Sequence, residues 1–79
     1  MEKNNLLPKI IKRLKDGSYT PHHQIVNFKD GSKRTIMNVV YVWENTMIHL
    51  ITANNIEFII NPANVNFIQR YLEYQNDPL

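Results

Sequence analysis

The chain of 79 residues has no cysteine and only two glycines, Gly17 and Gly31. The lack of cysteine excludes disulfides, thiolate metal sites and a cysteine nucleophile. Two isolated glycines leave no glycine-rich loop that could cradle phosphate groups. The hydroxyl residues fall in no recognisable catalytic motif, and Glu44, Glu57 and Glu73 are scattered along the chain. We therefore expect no catalytic site and no cofactor.

A long apolar run is also missing. The first residues, MEKNNLLPKIIKRLKDG, hold no apolar stretch of the kind found in signal peptides. No run approaches the roughly 18 apolar residues that a membrane helix needs. A chain of this size forms one small domain, residues 1–79, with marginal stability. The expectation is a soluble cytoplasmic protein with no membrane partner.

Charge is distributed unevenly. The first 34 residues carry eight Lys and Arg against three acidic residues, a net +5, whereas the remainder carries one Arg against four acidic residues, a net −3. Such asymmetry between halves is typical of a protein with an anionic partner on one side. The alternative is that the basic residues only form solvated faces.

Helical spacing of apolar residues predicts a helix over 6–16. Pro8 suits its first turn, and Gly17 suits its C-terminal cap. The helix would cover one end of a β core, with a membrane-surface segment as the alternative. Its apolar stripe consists of Leu6, Leu7, Ile10, Ile11 and Leu14.

Four strand-like runs follow, at about 24–29, 33–43, 47–52 and 56–60. Asp30-Gly31 between the first two is the strongest hairpin signal in the chain, and we interpret it as a structural turn. Short turns throughout predict an antiparallel meander. In the C-terminal segment, 62–75, the pattern favours a helical turn at 62–64, an extended piece at 65–68 and a helix from about 69 to 75.

The predicted sheet is apolar on both faces. In the long second run, one side carries Ile36, Val40 and Val42, and the other carries Met37, Val39, Tyr41 and Trp43. A sheet with one wet face should alternate cleanly. The sheet must therefore curl on itself, carry helices or meet another subunit. The predicted fold is α+β, mainly β: an N-terminal helix, then four or five antiparallel strands curled into a small barrel, and a short C-terminal helix.

Three stretches, IVNFKDG, IMNVVYVWENTMIHLI and IEFIINPANVNFI, resemble the strands of the Sm-like barrel family, which includes the bacterial Hfq type. Small SH3-type barrels match these apolar patterns almost as well. The Sm-like resemblance implies ring assembly through the edges of the fourth and fifth strands, and hence a homo-oligomer. Hfq-type proteins carry Tyr-Lys-His-Ala at the connector, where this chain has Ile60, Asn61, Pro62 and Ala63. Their RNA site is therefore not carried over.

The three histidines predict no metal site. His22 and His23 are adjacent, so on an extended segment they point to opposite sides. We expect both to be ordinary surface or interface residues. His49, on a strand, is expected to be partly buried and hydrogen-bonded.

The favoured function is a non-catalytic binding or regulatory protein that acts through protein–protein contacts, of the kind that phages and mobile elements use to inhibit a host protein. Aromatic side chains are typical anchors of such interfaces, and the candidates are Tyr41, Trp43, Tyr71 and Tyr74. The alternative is RNA or DNA binding by an Sm-like protein through its basic half. The candidate contacts are Lys9, Lys12, Arg13, Lys29, Lys33 and Arg34.

Overall fold

The computed structural model of the chain describes residues 11–72. Five antiparallel strands and one short 3-10 turn make up this region. The strands are β1 (His22–Phe28), β2 (Lys33–Glu44), β3 (Ile48–Thr52), β4 (Glu57–Ile60) and β5 (Val65–Tyr71), and the turn is Pro62–Asn64. The four predicted strands are confirmed in order, with ends that shift by at most two residues, and the extended piece predicted at 65–68 is a fifth strand that ends three residues later.

The strands form a single open sheet in the order β4-β3-β2-β1-β5. The predicted barrel is wrong in this respect, because the described strands do not close into a ring. β5 runs antiparallel to β1 from His23 to Phe28 rather than meeting β4. Within residues 11–72, β4 and β5 therefore each pair on one side only and form the two edges of the sheet.

The sheet nevertheless curls around one core. Side chains from all five strands pack into a single cluster, which a flat sheet could not bring together. Its buried members are Val26, Ile36, Val39, Ile48 and Leu50, and its half-buried members are Phe28, Val42, Phe58, Ile60, Val65 and Ile68. The Arg34 guanidinium also lies 5.3 Å from the centre of the Phe58 ring. That contact joins the start of β2 to β4, two strands away.

An irregularity within β2 changes which side chains face the core. Asn38 adopts a left-handed backbone with φ 55°, and the pairing of β1 with β2 shifts register between His22 and Gln24. One extra residue in a strand reverses the direction of the side chains that follow it. Val39 is consequently fully buried beside Ile36, although plain alternation predicts it on the opposite face. A second irregularity, in the pairing of β2 with β3 between Val39 and Tyr41, reverses the direction again, so Tyr41 and Trp43 do not follow Val39 into the core.

The predicted helix at 6–16 is wrong over residues 11–16, and residues 6–10 lie outside the described part of the chain. Leu14 N–H donates to Ser18 O, and Thr20 N–H donates to Lys12 O. These bonds tie the segment to itself as a tight reversal, with Arg13 bridged to Tyr19. Gly17, at φ 91°, allows the chain to turn back instead of capping a helix.

The C-terminal prediction is partly right. The turn at 62–64 and the extended piece that follows it are confirmed, and Asn61 caps the turn by accepting a hydrogen bond from Ala63 N–H. The helix predicted for 69–75 is wrong over 69–72, because 69–71 pair with β1 and continue β5 and Leu72 is not helical. Residues 73–75 lie outside the described region. In residues 11–72, the structure contains no helix with the length and apolar character needed to cross a membrane.

Candidate functional site

Strands β2, β3 and β4 place six side chains in two rows on the outer face of the sheet, away from the core. Paired residues of neighbouring antiparallel strands project to the same face. Trp43 pairs with His49, and His49 pairs with Ile59, which makes the first row. The row beside it consists of Tyr41, Ile51 and Glu57. We call the six residues of these two rows the outer platform.

The residues between the two rows point the other way. Val42, Leu50 and Phe58 form one inward row across the same strands, and all three belong to the core cluster or pack against it. Because side chains alternate along a strand, burial of this row forces the platform residues outward. The core thus determines which side chains the platform presents.

The platform is apolar and open to solvent. Trp43, Tyr41 and Ile59 keep 43%, 36% and 56% of their surface exposed. The wet face of an antiparallel sheet normally carries polar side chains. Contiguous exposed apolar surface on a soluble protein commonly marks a contact site. The platform is therefore the strongest candidate for a binding surface in the described region.

His49 holds the platform in a fixed arrangement. Its Nδ1 donates to Glu57 Oε2 at 3.0 Å, since a carboxylate can only accept, and its Nε2 lies 3.3 Å from Asn45 Oδ1. The Trp43 indole stacks on the imidazole at a centroid distance of 4.8 Å. Contacts across three strands thus limit the rotamers of both rings before any partner arrives.

The charge near the platform is negative. Glu57 lies within it, whereas Glu44 pairs with the buried Ile48 and so lies on the opposite face of the sheet. An anionic ligand such as a nucleic-acid backbone would meet a carboxylate here. Glu57 supplies the acidic side chain of the platform, and it is already hydrogen-bonded to His49.

Two of the four predicted protein-contact residues come together in the platform. Tyr41 and Trp43 lie two residues apart on one face of β2. Tyr71 does not join them, because it lies on β5 beyond β1, where its ring sits 5.2 Å from that of His23. Tyr74 lies outside the described residues.

The other four platform residues were not predicted as contacts. The alternation in 47–52 and 56–60 places His49 and Ile51 on one side of their strand, and Glu57 and Ile59 on one side of theirs. That signal gives the faces of single strands. It does not show which face of each strand lies on the same side of the sheet as Tyr41 and Trp43. That alignment depends on the pairing register between the strands.

Among residues 11–72, the predicted basic contacts lie on separate elements and do not share one face. Lys33 and Arg34 are consecutive strand residues and point to opposite faces. Arg34 lies over Phe58, while Arg13 lies 5.7 Å from the centre of the Tyr19 ring. Lys12 and Lys29 are exposed on separate loops, and Lys9 lies outside the described region.

The hairpin tip between β1 and β2 is a structural turn. Asp30 Oδ1 accepts hydrogen bonds from Ser32 N–H at 2.9 Å and from Ser32 Oγ–H at 2.7 Å. These bonds hold the pKa of Asp30 below its ordinary value. Gly31 supplies the positive φ, at 94°, that the turn requires. The local hydrogen bonds and the turn geometry explain why Asp30, Gly31 and Ser32 occur here, and no binding partner is needed to explain them.

The prediction that His22 and His23 are surface or interface residues is wrong, since both are buried within the single chain. His22 Nδ1–H donates to Thr20 O at 2.7 Å, and its Nε2 accepts from the Gln24 amide at 2.9 Å. Burial lowers the pKa of His22, and the bond to Thr20 opposes that shift only in part. His23 Nδ1 accepts from Asn38 N–H at 3.0 Å. His49, by contrast, is half-buried and hydrogen-bonded as expected.

Residues 11–72 contain no group of three or more His, Asp or Glu side chains that could hold a metal ion. Comparison of the chain with protein-family models, with curated proteins and with solved structures gives no match. The Sm-like resemblance, and the self-association that it implies, stay predictions. The platform itself is therefore the basis for an inference about function.

Proposed function

We propose that the protein is a non-catalytic binding module that docks on another protein through the outer platform. The observation that carries the proposal is the pairing of Tyr41 and Trp43 on one exposed face of β2. Tyrosine and tryptophan are the residue types most enriched among the residues that dominate binding energy. Here they sit on a strand within a sheet, which holds them more firmly than a loop would.

The expected energetics agree with a contact surface. Fully burying a large apolar side chain contributes about 1.5–3 kcal/mol, and Trp43, Tyr41 and Ile59 are each already about half buried. Covering them should therefore contribute on the order of 1 kcal/mol each. The stacking of Trp43 on His49 reduces the side-chain entropy lost on binding, because the indole is already restrained.

The test begins with capture of partners from the source organism on immobilised protein, with and without nuclease. Each captured protein is then purified, and its dissociation constant is measured by calorimetry. Trp43→Ala should raise the dissociation constant about 5-fold, as for a residue that contributes on the order of 1 kcal/mol. Leu14→Ala is the matched control, because Leu14 is 48% exposed but lies off the platform. It should leave the constant unchanged.

A reconstituted complex that tolerates both Trp43→Ala and Tyr41→Ala, with each variant folded by circular dichroism, would contradict the proposal. Loss of all capture after nuclease treatment would favour the second candidate function instead. That candidate is nucleic-acid binding. Its support is that the described residues 11–34 hold six Lys and Arg against two Asp, with the Lys side chains exposed.

A further inference from the structure

The hydrogen-bond pattern of β4 shows which of its backbone groups are open. Thr52 N–H donates to Ile56 O at 3.0 Å just before β4 begins, and the register with β3 then runs unbroken. Along an antiparallel ladder, residue pairs that exchange hydrogen bonds alternate with pairs that do not. Even-numbered residues of β4 therefore bond to β3. The N–H and C=O groups of Glu57 and Ile59 point away from β3, toward the edge of the sheet.

The same alternation gives the open groups of β5, at the opposite edge. Phe28 N–H donates to Ser32 O, so even-numbered residues of β1 bond to β2 and odd-numbered ones bond to β5. The odd-numbered residues of β1 lie opposite the odd-numbered residues of β5 from 67 to 71. The N–H and C=O groups of Ile68 and Arg70 therefore point outward. Among residues 11–72, no strand pairs with either edge.

One pairing register matches the two edges. Residues that exchange hydrogen bonds across an antiparallel pair must both direct their backbone groups to the shared edge. This condition is met with Arg70 opposite Glu57 and Ile68 opposite Ile59. A shift by two residues keeps the backbone bonds but puts Ile68 opposite Glu57, or Arg70 opposite Ile59. Charge and apolar matching therefore select the first register.

The faces of the two strands also agree. Four antiparallel steps separate β4 from β5 in the sheet, so both strands run in the same direction within one chain. For β5 of a second copy to run antiparallel to β4, that copy must be turned over, and its core face then continues the outer face of the first. Ile68 pairs with the buried Val26, and Arg70 shares its face of β5. Both side chains would thus lie on the same side as Glu57 and Ile59.

The other side of this pairing is apolar. In the same register, Phe67 lies opposite Ile60 and Tyr71 lies opposite Ile56. Phe67 is 51% exposed and Ile56 is 49% exposed in the single chain. Cross-strand pairs of aromatic and β-branched side chains contribute roughly 0.2–1 kcal/mol each. The pairing therefore covers exposed apolar surface of both edges at once.

Glu57 can bind Arg70 without losing its bond to His49. That bond uses Glu57 Oε2, and an ionised carboxylate has a second oxygen and several acceptor positions. The Glu57 side chain keeps 42% of its surface exposed. Arg70 is exposed as well, and its guanidinium has five N–H donors. One carboxylate can therefore accept from both residues.

We propose that a second copy of this chain pairs its β5 with the open edge of β4, with Arg70 opposite Glu57 and Ile68 opposite Ile59. The second copy then adds these two side chains to the outer platform, which extends from three strands to four. The hydrogen bonds and side chains of the two edges assign a register that the Sm-like resemblance leaves open. Each copy keeps one free edge of each kind, so the contact continues into a closed ring or an open chain.

The first test exchanges the two charges. Glu57→Arg and Arg70→Glu each bring like charges together, so each should weaken self-association of the full chain about 5-fold or more, measured by sedimentation equilibrium. The double variant should restore association, and so should an equal mixture of the two single variants, because every junction then pairs an arginine with a glutamate. Lys33→Glu is the matched control, because Lys33 is exposed on the interior strand β2. It should leave association unchanged.

The second test needs no variant. In the ¹⁵N-labelled chain, the amides of Glu57, Ile59, Ile68 and Arg70 should gain protection from hydrogen exchange as the protein concentration rises. The amides of Phe58 and Phe67 already bond within the sheet and should change less. Open amides that stay unprotected at millimolar protein, or a chain that sediments as a monomer there, would overturn the proposal.

Association that both single charge variants leave unchanged would also overturn it, as would failure of the double variant and the mixture to restore it, with each variant folded by circular dichroism. Trp43→Ala separates this pairing from docking, because Trp43 takes no part in the edge contact. Copies that associate although Trp43→Ala and Tyr41→Ala leave partner binding intact would support the pairing and contradict the proposed function. Partner binding that depends on Trp43, in a chain that stays monomeric, would do the reverse.

Discussion

Trp43 and His49 form a cross-strand pair whose ring planes lie 4° apart, with centroids separated by 4.8 Å. The pair joins β2 to β3, and the bond from His49 to Glu57 extends the contact to β4. One stacked pair therefore links the three strands of the platform. Its geometry affects both the stability of the sheet and the shape that a partner would meet.

Removal of the stack should weaken the sheet. His49→Ala should lower the free energy of unfolding by about 1 kcal/mol, the size expected for an aromatic cross-strand pair. His49→Phe should lose less than half of that, because it keeps the stack and loses only the polar contacts. Urea unfolding can be followed by the fluorescence of Trp43, which is the single tryptophan. Equal losses in the two variants would show that the stack contributes nothing.

Acid should destabilise the protein through His22. Burial lowers the pKa of His22 below its ordinary value of 6.5, so the unfolded chain takes up a proton first as the pH falls. Stability should therefore decline from about pH 6.5 down to the folded-state pKa and level off below it, with a slope of at most about 1.4 kcal/mol per pH unit. Urea unfolding between pH 7.5 and pH 4.5 measures this slope.

His22→Phe should flatten the pH slope even where it lowers stability overall. The carboxylates also respond to acid, and the slope that remains in His22→Phe measures their contribution. NMR titration of the His22 ring in the native protein gives a second measurement that needs no variant. A folded-state pKa at or above 6.5 would refute the argument.

The left-handed residue in β2 should tolerate glycine but not valine. Asn38 has φ 55°, a conformation that costs most residues about 1–2 kcal/mol. Asn38→Val should lower the free energy of unfolding by at least that amount. Asn38→Gly should stay within about 1 kcal/mol of the parent. Thermal unfolding by circular dichroism compares the two, and a valine variant as stable as the glycine variant would contradict the argument.

The core should respond strongly to truncation. Leu50 is fully buried at the centre of the cluster, and Leu50→Ala should cost about 2–5 kcal/mol. In a domain this small, that loss should leave much of the protein unfolded at 25 °C. Leu14→Ala, at an exposed position, should change stability by less than about 0.5 kcal/mol. Denaturant unfolding of the two variants, side by side, gives the comparison.

Salt dependence tests the nucleic-acid alternative. If phosphates are bound, the affinity for a single-stranded RNA should fall steeply between 50 mM and 200 mM salt. The slope of log affinity against log salt concentration counts the phosphate contacts. Lys33→Ala together with Arg34→Ala should reduce that slope by the amount expected for up to about two contacts. The two side chains lie on opposite faces of β2, so a reduction by one contact is the structural expectation. Affinity that does not respond to salt would exclude the phosphate interaction.

Local sequence signals predicted the strands and turns well, since each depends on neighbouring residues. Asp30-Gly31 gave the hairpin because the turn needs a positive φ at Gly31. Pro62 after Asn61 gave the 3-10 turn because the cap and the fixed proline φ act within three residues. Alternating β-branched and aromatic residues gave β2 and β3.

Signals that depend on distant partners failed. The stripe from Leu6 to Leu14 has helical spacing, yet Leu14 is exposed and Arg13 is bridged to Tyr19. The local pattern predicts a helix at 69–71, but pairing with β1 keeps these residues extended. Val39 reads as a neighbour of Tyr41 and Trp43, and the irregularity at Asn38 turns it into the core. For 69–71, a partner strand far along the chain outweighs the local preference. The segment 11–20 is held instead by bonds within itself, and Val39 is turned by the irregularity beside it.

The sequence by itself determined that four strands alternate with tight turns and are followed by an extended piece, that charge is divided between the two halves, and that Tyr41 and Trp43 share one side of a strand. Only the tertiary structure decided that the sheet stays open, that His22 and His23 are buried, and that His49, Ile51, Glu57 and Ile59 complete a platform around those two aromatics. The physical reason is register. Periodicity assigns faces within one strand, whereas the alignment of faces between strands depends on hydrogen bonds and core packing between residues distant in sequence.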